Sequence, residues 1–274
     1  MRTVNDPLKI STPPDPGGDA TRPGQGPGEE TSDFGFRRVP AREKAGYVLK
    51  HFNSIAGKYD FMNTLLSLGL HYRWKRLSVD ALRLKAGELV IDVCGGTADL
   101  SLLAARAVGP EGRVILCDIN RAMIEKGRSK VGRASLGGRI LSVQGDAESL
   151  SFPMGIFDAA MVGFGVRNLT HMERGLAEMQ RILRPGGRLM CLEFSLPVSA
   201  WFRLLYDFYS FRLMPLAGKV LAGNREAYLH LPESIRKFPP PERVAALLKE
   251  IGFSAVAYRM LTNGIAVIYT GVKP

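Results

Sequence analysis

From Val90 to Leu100 the chain reads VIDVCGGTADL. An apolar strand pattern carrying one acid, Asp92, runs into Cys94, two glycines, Thr97 and then helix-forming residues. Gly95 and Gly96 let backbone approach a ligand closely and permit φ > 0. In an open α/β sheet, ligands sit beyond the carboxyl ends of the strands, at the switch point beside the first strand. Three further positions fall on the same edge, in chain order. Asp118 closes VILCD, where a carboxylate can accept hydrogen bonds from ribose hydroxyls. Asp146, in QGDAESLSF, follows the third strand, where side chain or backbone can read an adenine amino group. Gly163 closes the fourth strand in MVGFGVRN. Each has a plainer reading. The glycine pair is a tight turn, and Asp118 caps the helix that begins near INRAM. Together, in this order, they point to a cofactor containing a nucleoside.

The loop also discriminates between cofactors. A pyrophosphate needs a bare helix N-terminus, hence three spaced glycines. Here Thr97 and Ala98 fill that space, and Asp99 brings negative charge to the helix start. That charge should repel a pyrophosphate and suit a phosphate-free cation. S-adenosyl-L-methionine is such a cation, with adenine, ribose, a sulfonium and an ammonium. A nicotinamide dehydrogenase is disfavoured by the missing third glycine. Ala98 is expected in the first turn of a helix, where alanine is acceptable. Its methyl there must clear the methionine end of the cofactor.

These loops need a sheet to hold them. Strand patterns fall at Glu88–Val93, Arg113–Asp118, Arg139–Gln144, Ile156–Gly163 and Arg188–Phe194. Helical patterns lie between them at Ala98–Val108, Ala122–Lys130 and His171–Leu183, and RPGGR at Arg184–Arg188 reads as a turn. Short apolar strands alternating with helices predict a doubly wound α/β domain with a mostly parallel sheet and helices on both faces. Two last strands, near Ser254–Leu261 and Ile265–Val272, are joined by TNG and predict an antiparallel pair, giving seven strands. Residues 1–33 are rich in Pro, Gly and acids and read as a disordered tail. The single domain then spans 34–274: a helical cap over 34–86, the cofactor-binding core over 87–197, an inserted aromatic lid over 198–238, and a helix with the last strands over 239–274.

The chain has 274 residues and a formal net charge of +11, which favours anionic partners. Its basic residues are scattered and form no nucleic-acid module, so an RNA methyltransferase is the weaker reading, as is a protein methyltransferase. The aromatic stretch from Trp201 is broken by Arg203, Asp207, Arg212 and Lys219 and does not read as a membrane span. The three cysteines are far apart and predict reduced thiols in a cytoplasmic protein. No secretory or mitochondrial leader is read at the N-terminus.

Beyond the loops, DFGFRRV, FNSIAGKYDFMN, GLHYRWKR, FGVRN, RPGGRLMCLEFSLP, YDFYSFRLMP and LPESIRKFP carry a family resemblance. Over about Thr31 to the C-terminus the chain resembles the ubiquinone/menaquinone biosynthesis C-methyltransferases, the UbiE/MenG family of class I S-adenosyl-L-methionine-dependent enzymes with a Rossmann-like core. The resemblance implies cofactor contacts at Gly95, Thr97, Asp118, Asp146, Ala147 and Gly163. Two departures stand out: the family has Gly where this chain has Ala98, and often Ser where it has Gly163. The implied reaction is C-methylation of a polyprenylated hydroquinone, demethylmenaquinol to menaquinol or a 2-methoxy-6-polyprenyl-1,4-benzoquinol. A ring hydroxyl must lose its proton, so a cation beside the nascent phenolate should help. Arg167 is the candidate cation, with a salt bridge to Asp60 or Glu193 as its plainer role. Asn168 could orient the ring oxygen, and Tyr59 and Asp60 come from helices that could close over the site. His171 and His230 are candidate bases, His171 being read mainly as a surface residue. A prenyl tail makes Trp201–Gly223 a lid or a membrane-facing surface, or the packing of a covering helix. Partners expected are the quinol at the inner face of the cytoplasmic membrane, with a homodimer left open and neither nucleic acid nor metal. A non-catalytic scaffold of the same fold is the rival from another class, favoured by Ala98 and Gly163.

Overall fold

The structure is a computed structural model that describes residues 30–223 and 225–274. Seven strands form one sheet: β3 (Leu89–Val93), β4 (Arg113–Asp118), β5 (Ile140–Gln144), β6 (Phe157–Gly163), β7 (Leu183–Phe194), β8 (Ser254–Leu261) and β9 (Ala266–Val272). Their spatial order is β5-β4-β3-β6-β7-β9-β8. The first five run parallel, with Val90 opposite Val114 on one side and Ala159 on the other. β9 runs antiparallel to both β7 and β8. The order reverses between β3 and β6, so the Gly95–Gly96 loop leaves the sheet at the crevice expected for a ligand.

Alternation along β3 assigns its two faces. Val90 joins a core formed with α3 (Leu70–Ala81), α4 (Asp99–Ala107) and α5 (Arg121–Arg133). Ile91 and Val93 point the other way, into a core with α6 (Met172–Ile182) and α10 (Pro241–Glu250). A strand with both faces covered can be apolar at every position but one, and the exception, Asp92, is completely buried.

Several expectations change in detail. The predicted tail over 1–33 falls largely outside the described residues, but Thr31–Phe34 is strand β1, paired antiparallel with β2 (Arg37–Pro40) around Gly35 at φ 62°. This hairpin sits against α1 (Ala41–Ile55) and α9 (Arg225–Lys237). RPGGR is no separate turn. Strand β7 runs through it with an irregularity opposite Phe157–Ala159, and Gly186 takes φ 76° there. From Ala200 to Ala222 the chain is helical throughout: α7 (Ala200–Phe208), a π-helical turn, α8 (Met214–Ala217) and a second π-helical turn.

The cap packs onto the sheet at two points. Lys44 of α1, 5% exposed, donates through Nζ to Leu169 O at 2.6 Å and to Ser32 Oγ at 3.1 Å. Trp74 of α3, 3% exposed, donates its indole N–H to Thr262 Oγ1 at 2.8 Å and lies edge-on to Phe194. Trp74→Ala should therefore lower stability by about 3–5 kcal/mol. A denaturant midpoint unchanged by the substitution would show that α3 is not anchored there.

Candidate active site

A cavity of about 420 Å³ lies beyond the ends of β3, β4 and β6, covered by α1. Asp118, Asp146, Ala147 and Gly163 all border it, as do Gly96 and Cys94. Asp118 Oδ2 accepts from Gly96 N at 2.9 Å, and Oδ1 accepts from Asn120 N at 2.7 Å. Burial raises the Asp118 carboxyl above its ordinary value, while these backbone donors act to lower it. Each oxygen keeps acceptor capacity for a ribose hydroxyl. Asp118 does not cap α5. That role belongs to Asn120, whose Oδ1 accepts from Met123 N at 3.0 Å and whose Nδ2 donates to Asn53 Oδ1 of α1 at 3.0 Å. Four carboxylates (Glu30, Asp118, Asp146 and Glu148) and two guanidiniums (Arg42 and Arg174) border the cavity. The excess of negative charge fits a cationic nucleoside such as S-adenosyl-L-methionine better than a pyrophosphate.

Asp99 does not bring an unpaired negative charge to the helix start. Asp99 Oδ2 meets Lys75 Nζ at 2.6 Å, and Oδ1 meets Lys130 Nζ at 2.7 Å. Burial would raise its carboxyl, but the two ammonium groups together hold it down at about 2. Its charge is fully compensated. Lys130 also meets Asp60 Oδ2 at 2.7 Å, and Thr97 Oγ1 donates to Asp60 Oδ1 at 2.7 Å. Thr97 is thus turned toward α2 (Tyr59–Leu66), and neither Thr97, Gly95 nor Asp60 borders the cofactor cavity. Gly95 has a packing reason instead, because a Cβ there would lie 2.9 Å from Leu116 and 3.0 Å from Asp92 O.

Ala98 is not helical. It takes φ 71°, ψ 16° as the residue before α4, a left-handed conformation costing roughly 1–2 kcal/mol for a residue with a Cβ. Its methyl is fully buried near Gly127 of α5, not turned to the cofactor cavity. Cys94 and Phe164 also have positive φ, at 56° and 58°. Gly163 cannot take a side chain freely either, since a Cβ would lie 2.6 Å from Leu100 Cδ1.

A second cavity, of about 350 Å³ and mostly apolar, adjoins the first. Phe52, Tyr59, Phe164 and Asn168 border both. Arg167 borders only the second, and α2, α3, α7, α8 and α9 supply much of the rest. Arg167 Nη1 donates to Glu193 Oε1 at 2.7 Å and to Phe164 O at 2.5 Å, its Nε has no partner, and its guanidinium lies 5.3 Å from the Phe194 ring centroid. Glu193, fully buried, also accepts from Phe194 N at 2.8 Å. The plainer role considered for Arg167, an ion pair, is present with Glu193 as the partner, and the residue also borders the second cavity. His230 borders this cavity beside His51, their rings 4.7 Å apart. Burial, then the charge of Arg167, pushes His51 down to about 4. Burial, then His51 and Arg167, pushes His230 down to about 3. Both are neutral at pH 7. His171 instead precedes α6 at the rim of the cofactor cavity, 3.6 Å from Glu30. His51, Asn120, Lys75 and Lys130 were given no role by sequence reasoning. Lys75 lay inside the quoted GLHYRWKR and Asn120 inside INRAM, but neither side chain was singled out.

Two outcomes follow from this geometry. Because the Ala98 methyl faces α5, Ala98→Gly should leave cofactor affinity within about two-fold, the lost burial of about 0.8 kcal/mol offsetting the relieved backbone. A ten-fold gain measured by calorimetry would place the methyl against the ligand after all. Asp92, buried beneath the loop, accepts from Ser101 Oγ at 2.6 Å through Oδ2, while Oδ1 has no partner. Burial, opposed by Ser101, raises its carboxyl from 3.8 to about 7. The folded chain then holds this proton more tightly than the unfolded one, so stability falls as pH rises between those values. Asp92→Asn should flatten that slope in denaturant midpoints across the window, and an unchanged slope would count against the assignment.

The ubiE/COQ5 methyltransferase family model matches residues 40–273. The chain is 44% identical over 246 residues to the ubiquinone/menaquinone biosynthesis C-methyltransferase UbiE of Pseudomonas putida, covering 90% of this chain and 96% of that one. It is 44% identical over 245 residues to the protein of the same name from Marinomonas sp. (strain MWYL1), covering 89% and 98%. Among solved structures, a SAM-dependent methyltransferase from Aquifex aeolicus superposes with TM-score 0.52 at 17% identity, covering 73% of this chain and 89% of that one. Phosphoethanolamine N-methyltransferase 2 of Haemonchus contortus, in complex with S-adenosyl-L-methionine, gives TM-score 0.53 at 14% identity, covering 73% and 52%. The sheet is that of the class I methyltransferases. The chain belongs to the ubiE/COQ5 methyltransferase family, and its cofactor is S-adenosyl-L-methionine.

Proposed function

We propose that the chain methylates a ring carbon of a polyprenylated hydroquinone, a demethylmenaquinol or a polyprenyl benzoquinol. The observation that carries this reading is the wall of Phe52, Tyr59, Phe164 and Asn168 shared by the two cavities. One cavity is bordered by acids and the other is aromatic and apolar, with Arg167 at its edge. The names of the relatives, which join both quinone pathways, support the substrate class.

The cofactor supplies an electrophilic methyl on a sulfonium. The residues of this chain have the other tasks. A phenol has a pKa of about 10, so the ring hydroxyl keeps its proton at neutral pH unless its anion is stabilised. The Arg167 guanidinium lies beside an apolar cavity, where a charge acts more strongly than in water. Glu193 and Phe164 O hold that group in one orientation. Asn168 can hydrogen-bond a ring oxygen from between the cavities. The imidazoles of His51 and His230, held neutral by burial and by Arg167, can accept a hydrogen bond from the ring hydroxyl. The ring carbon that gains the methyl then loses its hydrogen as a proton, which restores aromaticity. Apolar walls exclude water from the reacting atoms.

The experiment supplies purified protein with methyl-labelled cofactor and each quinol under reducing conditions. Ring-methylated product from either supports the reading, and cofactor binding without any product would sink it. Arg167→Ala should lower kcat by about 100-fold or more, as for loss of one preorganised donor, with cofactor Kd within a few-fold. An Arg167→Met/Glu193→Gln variant, which leaves no unpaired buried charge, should behave alike. Equal losses in kcat and in cofactor affinity would assign Arg167 to the cofactor site instead.

A further inference from the structure

The helical segment from Ala200 to Ala222 covers the second cavity with Phe202, Tyr206 and Met214. Its other face is also apolar, yet nothing in the described chain covers it. Trp201 is 66% exposed, Leu204 73%, Phe208 61%, Leu216 56% and Val220 70%. A helix apolar all round is ordinarily buried, and a contiguous exposed apolar patch marks an interaction surface. Arg203, Arg212 and Lys219 are exposed between these residues, and none has an acid partner among the described residues. The one acid in the segment, Asp207, is taken by Arg236 of α9. Beside it, Leu68 in the turn between α2 and α3 is 84% exposed. Leu68, Leu70 and Leu205 are at once exposed and part of the wall of the second cavity, so that cavity opens on this face.

We propose that this face docks onto a bilayer containing anionic lipid, with Trp201, Leu204, Phe208, Leu216 and Val220 in the interface and the three cations at headgroup level. The charge pattern selects this occupant. A second copy of the chain would set unpaired cations against their own kind, whereas anionic headgroups complement them at about 1 kcal/mol per basic residue. Aromatic and leucine side chains interleaved with Arg and Lys are what an interfacial helix needs. No helix among the described residues is long and apolar enough to cross a membrane, so the contact is with the surface of the bilayer. Docked this way, the mouth of the second cavity faces hydrocarbon. That consequence alone rests on the quinol reading, and the docking itself does not.

The test uses the full chain and vesicles of phosphatidylcholine with or without phosphatidylglycerol. The chain has two tryptophans, and Trp74 is buried, so a blue shift of emission on adding vesicles reports Trp201. We expect co-sedimentation and a blue shift with phosphatidylglycerol vesicles, weakened by salt, and quenching by lipids brominated on their acyl chains. Leu204→Glu/Leu216→Glu, neither residue bordering a cavity, should lower partitioning at least about ten-fold while cofactor affinity is retained. Brominated-lipid quenching of the unaltered chain stands as evidence even if that variant does not fold. Three results would each overturn the proposal: no vesicle binding, equal binding by the variant, or a blue shift without vesicles that follows self-association. Vesicle binding and cofactor binding are read without any quinol, so failure of the docking and failure of the methylation reading remain distinct.

Discussion

One carboxylate holds the architecture of the site together. Asp99, at the first turn of α4, is met by Lys75 from α3 and Lys130 from α5, and Lys130 reaches on to Asp60 of α2, which takes the Thr97 hydroxyl. Four helices and the cofactor loop meet in this knot. Exposed ion pairs are worth little, but Lys75 and Asp99 have side chains only 11% and 18% exposed. Removing either partner would strand a half-buried charge, the costly direction for such pairs. The knot fixes where the N-terminal cap lies on the sheet, and both cavities are spaces between cap and sheet. The Lys44 contacts to Leu169 and Ser32 hold the cap at a second point, on α1.

The buried pair Arg167–Glu193 is a second fixed point, at the wall of the second cavity. Fixed by Glu193 and by Phe164 O, the guanidinium cannot swing out to solvent. Phe164 accepts a left-handed backbone where β6 ends, and Cys94 does the same where β3 ends. Non-glycine residues persist in that region only where their surroundings over-determine them. Strain collects here at the edge between the two cavities, on the residues that aim the chain into them.

The sheet was legible because parallel strands buried on both faces are unbroken apolar runs, and VILCD or MVG has no other good use. The β1–β2 hairpin was not, because TSDF and RRVP show no such run. Those strands are defined by pairing and by the helices beneath them. Asp118, Asp146, Ala147 and Gly163 could be placed at the cavity from sequence because the carboxyl end of a strand is a fixed place in this fold. Thr97, Gly95 and Asp60 do not border that cavity, because Thr97 and Asp60 bond to each other, a tertiary contact between loop and cap that no local pattern encodes. Lys75 and Lys130 lie 24 and 31 residues from Asp99 on separate helices, a pairing no local pattern encodes. Ala98 misled in a third way. Alanine in front of a helical pattern reads as helix, whereas Ala98 is left-handed, with its methyl buried near Gly127.

The shared wall has one consequence for how ligands communicate. Phe52, Tyr59, Phe164 and Asn168 each present surface to two compartments. A ligand that fixes these side chains in one compartment has thereby chosen the shape of the other. Thermodynamic linkage then makes the effect mutual: whatever factor the methyl acceptor imposes on cofactor affinity, the cofactor imposes on the acceptor. Cooperativity between the two sites needs no moving domain, only four side chains that belong to both.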